Sequence, residues 1–201
     1  FISTSNFSNQ EIKLKKKDLN NFLKNGFPSR KLENWKFSDI NQIIKKNIGE
    51  LTFYNDYKIE NEINDDIFIK EIEHNKIVIV NGKVQQFNFE YEESDKINIT
   101  ILDTLNQNLN QDNSLLSLNN SFSNKIHNIL VKKNYSLKKP LIIYQITNEK
   151  VSNTNINFQL NFDLEESSSI KIINFSDDNS EKNFINNLFH FNLDKLSLIH
   201  I

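Results

Sequence analysis

The chain has no cysteine and no methionine, and only three glycines, two prolines and one tryptophan among 201 residues. Without cysteine there is no disulfide, no thiolate metal ligand and no cysteine nucleophile within these residues. A phosphate-cradling loop needs several glycines close to a Lys and a Ser or Thr, so that backbone amides converge on the anion. Gly26, Gly49 and Gly82 lie far apart, which argues against nucleotide binding by this chain. No apolar run approaches the ~18 residues that span a bilayer. The start, Phe1-Ile2-Ser3-Thr4-Ser5, lacks the basic-then-apolar pattern of a secretory signal, so a cytoplasmic protein is expected. A formal net charge of −2 gives no electrostatic case for nucleic acid or an anionic membrane. The basic stretch Lys13-Leu14-Lys15-Lys16-Lys17 falls on an expected helix and reads as a solvated helix face.

What is present is rich in Asn, Ile, Lys, Leu, Ser and Phe, and it divides into two grammars. Ser8-Asn9-Gln10-Glu11 has the form of a capping box. Ile12, Leu19, Phe22 and Leu23 then recur at helical spacing up to Gly26. A short helix is predicted within Ser38 to Lys46, with Ile40, Ile43 and Ile44 facing inward. Leu51 to Asp66 reads as loop. Ile77-Val78-Ile79-Val80-Asn81-Gly82-Lys83-Val84 is a β-branched run meeting Asn-Gly, the strongest short hairpin cue, with Phe87 and Phe89 alternating beyond it. Ile97, Ile99 and Ile101 suggest a further strand. From Asp103 to Phe122, Leu105, Leu109, Leu115, Leu116 and Leu118 suggest helix.

After Phe122 the pattern shifts to short strands with polar turns: Ile126–Val131, Leu141–Ile146, Ile156–Leu164, Ile170–Phe175, Phe184–Leu193 and Leu196–Ile201. Ile156 to Leu164 alternates strictly with a period of two. Such repetition permits a sandwich, a meander or a parallel β-helix.

No constellation carries self-contained catalysis. His74, His127, His190 and His200 form no helical i, i+4 pair. His190 and His200 could stack on adjacent coils of a β-helix, although rungs on a solvent face are the plainer reading. The acid pairs Asp65-Asp66, Glu92-Glu93, Glu165-Glu166 and Asp177-Asp178 are expected in solvated turns, where sequence neighbours show no convergence. No Gly-x-Ser-x-Gly elbow supports a serine nucleophile. Catalytic, cofactor-binding and metal residues are therefore none.

The densest local signal is Gly26-Phe27-Pro28-Ser29-Arg30-Lys31-Leu32-Glu33-Asn34-Trp35-Lys36-Phe37-Ser38-Asp39. Gly26 closes a helix, Pro28 stiffens the exit, Arg30 and Glu33 stand three apart as an expected clamp, and Trp35 is the expected buried anchor. This run resembles the N-terminal signature of the SufD family, matching it at Gly26, Pro28, Ser29, Arg30, Glu33, Trp35, Lys36, Phe37 and Ser38. The apolar strand running into Asn81-Gly82 is similar to a recurrent feature of the family. Ser121-Phe122 through Val131, followed by Leu137-Lys138-Lys139-Pro140-Leu141, resembles its lead-in to a β-helix. Asn124-Lys125 stands where the family has Asp-Gly, Ser121 where it has Ala, and Asp194-Lys195-Leu196 where a small residue is common.

The resemblance implies an α+β N-terminal domain (1–122) followed by all-β structure (123–201), the start of a parallel β-helix truncated at the C-terminus. The chain begins with Phe and ends inside an apolar strand-like run, and is expected to be a fragment. The resemblance also implies a non-catalytic scaffold subunit of the SufB–SufC–SufD complex in iron–sulfur cluster assembly, not an enzyme. The partners of the full-length protein would be a SufB-like β-helix subunit and a SufC-like ATPase. The cluster would be handled by the assembled complex, with no cofactor bound by this chain alone. The alternatives are a SufB-like subunit or another β-helix interaction module, and then a polysaccharide-processing β-helix enzyme. The cysteines expected of SufB and the acid cluster expected of the last are both missing.

Overall fold

The computed structural model describes residue 2 and residues 7–53, 63, 65–102, 113–148, 151–178 and 182–201. The first helix, α1 (Asn9–Asn25), starts at the expected box: the Ser8 side chain accepts from the Glu11 amide, and the Glu11 carboxylate accepts from the Ser8 amide at 2.6 Å. Gly26, at φ 66°, ends it by donating its N–H to the Phe22 carbonyl. The buried stripe differs from the expected one. Phe22 is buried but Leu23 faces solvent, and Lys15, read as part of a solvated face, is buried. The second helix, α2 (Ile40–Asn47), is capped by Asp39, whose side chain accepts from the Gln42 amide. Ile40 and Ile44 point inward, whereas Ile43 is exposed, because an eight-residue helix packed on one side has room for a single apolar stripe.

Strands β1 (Asn75–Val80) and β2 (Lys83–Asn88) pair antiparallel across Asn81-Gly82. Both turn residues have positive φ (50° and 76°), as a two-residue hairpin matching the strand twist requires. Strand β3 (Ile97–Leu102) follows, and then α3 (Ser114–Phe122), the described part of the helix expected from Asp103. Leu105 and Leu109 lie outside the described residues, as does most of the Leu51–Asp66 loop. The remaining strands are β4 (Ile126–Val131), β5 (Leu141–Thr147), β6 (Asn155–Leu164), β7 (Ser169–Asp178), β8 (Phe184–Leu193) and β9 (Leu198–His200).

The protein is α+β, with two mixed and mostly parallel sheets. One has the order β2-β1-β5-β7-β9 and the other β3-β4-β6-β8. Each carries one antiparallel pair, β1 with β2 and β3 with β4, and every other pairing is parallel. From β5 onward each strand joins the sheet opposite to that of the strand before it. β1 lies on the N-terminal side of the boundary expected at residue 122 and pairs along its length with β5 on the other side.

The main core lies between the sheets: Ile77, Ile79, Ile129, Val131, Leu141, Ile143, Ile170 and Ile172 meet Phe158, Leu160, Phe162 and Leu164. A smaller core of Val78, Val80, Ile142 and Tyr144 covers the outer side of β1 and β5, packed by Phe68 and Ile69. Burial on both faces is the usual condition of parallel sheets. The period of two in β6 does not divide a buried face from a solvated one, since Asn155, Asn157, Gln159 and Asn161 are buried as well. α3 packs over this face: Asn119 Nδ2 donates to the Asn186 and Phe158 carbonyls, and Gln159 Nε2 donates to Asn119 Oδ1 and Asn120 Oδ1, both at 2.8 Å.

Candidate functional site

The signature run forms an exposed loop between α1 and α2. Phe27 is its anchor, with ring centroids 5.2 Å from Phe22 and 5.5 Å from Phe184 of β8, both edge-on. Pro28 beside it is buried. Trp35 is not the buried anchor expected: it sits half-exposed in a single 3-10 turn, Glu33–Trp35, that contains no buried residue. The Arg30–Glu33 clamp is also absent. Leu32 is extended (φ −84°, ψ 131°), so residues 30 and 33 do not share a helical turn. Glu33 instead pairs with Lys36 at 2.6 Å, and Arg30 reaches Gln42 Oε1 at 3.5 Å. Between this loop and α2 lies a groove of about 340 Å3 lined by Arg30, Phe37, Asp39, Gln42, Ile43 and Lys46, among others. Phe27 was legible only as the residue locked between Gly26 and Pro28.

Glu92 is not the solvated turn residue expected. Its carboxylate accepts from Asn75 Nδ2 and the Tyr135 hydroxyl, both at 2.7 Å, and from the Lys138 and Lys139 amides at 3.1 and 3.2 Å. Burial pushes this carboxyl upward, but the Tyr135, Asn75 and backbone donors outweigh it and hold it below its ordinary value. The group ties the turn before β3 to the start of β1 and the approach to β5. Among the other acid pairs, Glu165 and Glu166 sit at a corner against Lys132 and Lys133, and Asp66 pairs with Lys70. Asp177 and Asp178 end strand β7 and are not in a turn.

The histidines are dispersed. The Tyr144 hydroxyl lies 2.8 Å from His74 Nε2 and accepts from the Ile69 amide, while His74 Nδ1 lies 2.8 Å from the Ile72 carbonyl. Burial raises the pKa of Tyr144. His127 packs 5.2 Å from the Phe87 ring, and burial, then Lys125, lowers its pKa. His190 and His200 do not stack, because β8 and β9 belong to different sheets. His190 instead meets Asn161 Oδ1 through Nδ1 at 2.6 Å, and Asn161 donates in turn to Asn128 and Asp163. This amide ladder crosses β4, β6 and β8. Among the described residues no group of three or more His, Asp or Glu side chains is placed to hold a metal ion, and no helix is long and apolar enough to cross a membrane.

At the far end of the sheets, β8 and β9 are edge strands. Leu193, Leu196, Leu198 and Ile201 are exposed there, and a free edge carries unpaired backbone donors and acceptors. Neither the groove nor this edge brings together a nucleophile, a base and an oxyanion site among the described residues. A scan against protein-family models and a search of curated proteins returned no match to the chain.

Proposed function

We propose that this chain is a cytoplasmic, non-catalytic scaffold subunit of the SufD type, working with a SufB-like β-helix subunit and a SufC-like ATPase in iron–sulfur cluster assembly. In this reading β4 to β9 are the first coils of a parallel β-helix, preceded by an N-terminal α/β region up to about residue 122 whose strands β1 and β3 pair with β5 and β4. The chain itself holds neither nucleotide nor cluster. The observation that carries it is the alternation of β4 to β9 between the sheets with parallel pairing throughout. His127 pairs with Leu160 and Leu160 with Phe189, a step of about 30 residues, within the span of solenoid repeats. Further support comes from a corner that recurs at that step. Asn134, Ser167 and Leu196 are all left-handed (φ 58°, 57° and 59°), the Asn134 N–H donates to the Glu166 carbonyl, and the Ser167 N–H donates to the Lys195 carbonyl. The signature run supplies the specific link to SufD.

Co-expression with a SufB-type and a SufC-type subunit tests the proposal. A complex that co-purifies in fixed stoichiometry, with no heat of Mg-ATP binding to this chain alone, is the expected result. Failure to co-purify, or ATP hydrolysis by the isolated chain, would overturn it.

A further inference from the structure

The groove beside α2 has a chemistry that the scaffold reading does not use. Phe37 is 89% exposed and Ile43 51% exposed, on a segment fixed in place by backbone bonds rather than loose. The Lys36 amide donates to the Glu33 carbonyl, the Ser38 amide to the Trp35 carbonyl, and the Ile43 amide to the Asp39 carbonyl. A nearly bare aromatic ring held on such a turn is an exposed apolar contact with its conformational cost already met. Leu32, in the same loop, is also exposed.

The charges around these apolar groups are unequally committed. Lys36 is paired with Glu33 at 2.6 Å and also lies 5.3 Å from the centroid of the Phe37 ring. Asp39 is committed to the α2 cap through Gln42. Arg30 has a single 3.5 Å contact to Gln42 Oε1, and among the described residues neither Arg30 nor Lys46 forms an ion pair. Lys31 and Lys45 stand exposed nearby. The groove is therefore lined by the apolar Phe37 and Ile43 together with two cations in no ion pair among the described residues, one of them a guanidinium able to fork onto a carboxylate.

We propose that this groove is a docking site for a short acidic peptide segment of a partner protein, with one apolar side chain seated between Phe37 and Ile43 and carboxylates on Arg30 and Lys46. The surface suits a peptide better than a polyanion or a membrane. Two open cations match one or two carboxylates, and Asp39 in the groove wall opposes a continuous run of phosphates. The net charge of the chain, −2, supplies no long-range field for nucleic acid. α2 is too short, at eight residues, to lie in a membrane surface as a basic amphipathic helix. The site involves neither the sheets nor any cluster, so it stands or falls independently of the scaffold assignment.

Fluorescence anisotropy on the intact chain tests it, with a labelled Glu/Asp peptide carrying a central Phe-Leu as the probe. Saturable binding that weakens with salt is expected. A version with Lys in place of the acids should not bind, and one with Ser in place of Phe-Leu should bind more weakly. The double variant Arg30→Glu/Lys46→Glu should lose about tenfold or more in affinity, since reversed charges now face the carboxylates. Phe37→Ser should weaken binding with no change in its salt dependence, while Lys13→Glu/Lys16→Glu on the exposed side of α1 should leave it intact. All of these positions are exposed, so circular dichroism should show unchanged folding. Equal binding by the Arg30→Glu/Lys46→Glu variant, no binding of the acidic probe, or preferential binding of anionic vesicles or a single-stranded oligonucleotide would overturn the assignment.

Discussion

Gly82 shows how a single position couples a turn to a strand far away in sequence. Its φ of 76° is left-handed, and a Cβ built there would stand 2.9 Å from the Asn157 carbonyl oxygen and 2.9 Å from Ile156 Cγ2. The carbonyl is backbone and cannot swing away. Gly82→Ala should therefore lower stability by about 1–3 kcal/mol, the cost of a residue forced into a sparsely allowed conformation, read from the midpoint of urea unfolding. Leu196 is the reverse case. It is 76% exposed and left-handed at φ 59°, at a corner where Asn134 and Ser167 occupy the same conformation. Its side chain adds little burial and keeps the steric penalty of the left-handed region, so Leu196→Asn or Leu196→Gly should raise stability by up to about 1 kcal/mol. An unchanged or lower melting temperature would show that the Leu196 side chain contributes more than its exposure implies. Trp35→Ala belongs with these. For a half-exposed ring the loss should fall well short of the ~3–5 kcal/mol that a buried aromatic commands.

At the scale of elements, two charged side chains hold pieces together that the backbone alone does not. Lys15 joins α1 to the end of α3, donating from Nζ to the Asn120 and Ser123 carbonyls at 2.9 and 2.7 Å, where a helix terminus favours a cation. Burial lowers its pKa to about 8, against the upward pull of Glu11 and Asp18. Below pH 8 the ammonium is charged in both states and its burial cost is fully present. Between pH 8 and the ordinary lysine value near 10.5 the unfolded chain still holds a proton that the folded one has released. Stability should therefore rise across that window. Lys15→Met should abolish the rise, as seen in thermal melts taken across it. Glu92 works at the acid end. Its folded pKa lies below the ordinary one, so its contribution is complete above the unfolded value near ~4.3 and fades as pH falls through the folded value. In Glu92→Gln an amide must face four donors, which should cost about 1–3 kcal/mol at neutral pH and flatten the acid limb of the stability curve.

For the whole molecule, the open end of the two sheets governs behaviour in solution. β8 offers ten residues of strand edge in one sheet, ending at the exposed Leu193, and β9 ends the other sheet with Leu198 and Ile201 exposed. Edge-to-edge pairing between copies is the expected result, measurable by light scattering as a mass that grows with concentration. Leu193→Lys together with Leu198→Lys should suppress it, because charge on an edge is the usual protection against such pairing. A chain that stays monomeric without these changes would mean that the edge is covered in solution.

Several features were determined by the sequence alone. The capping box at Ser8 and Glu11, the glycine stop at Gly26, the Asn81-Gly82 hairpin and the strand character of β4 to β8 each depend on backbone angles and hydrogen bonds that a few adjacent residues specify. What only the tertiary structure decided is which faces those elements bury. Lys15 is buried because α3 lies across it, and Gln159 of β6 because that helix and its end supply the Asn119 and Asn120 amide oxygens. Ile43 is exposed because nothing in the described chain packs on its side of α2, Trp35 stays half-exposed in a turn that holds no buried residue, and Glu92 became a tie point because Asn75, Tyr135 and the Lys138–Lys139 backbone converge on it. His190 and His200 were parted when successive strands went to opposite sheets. Local angles are fixed by neighbours in sequence, but burial is fixed by whichever segment closes over a face. For β6 and Glu92 the covering groups stand 17 to 47 residues away, a separation at which single-chain periodicity holds no signal.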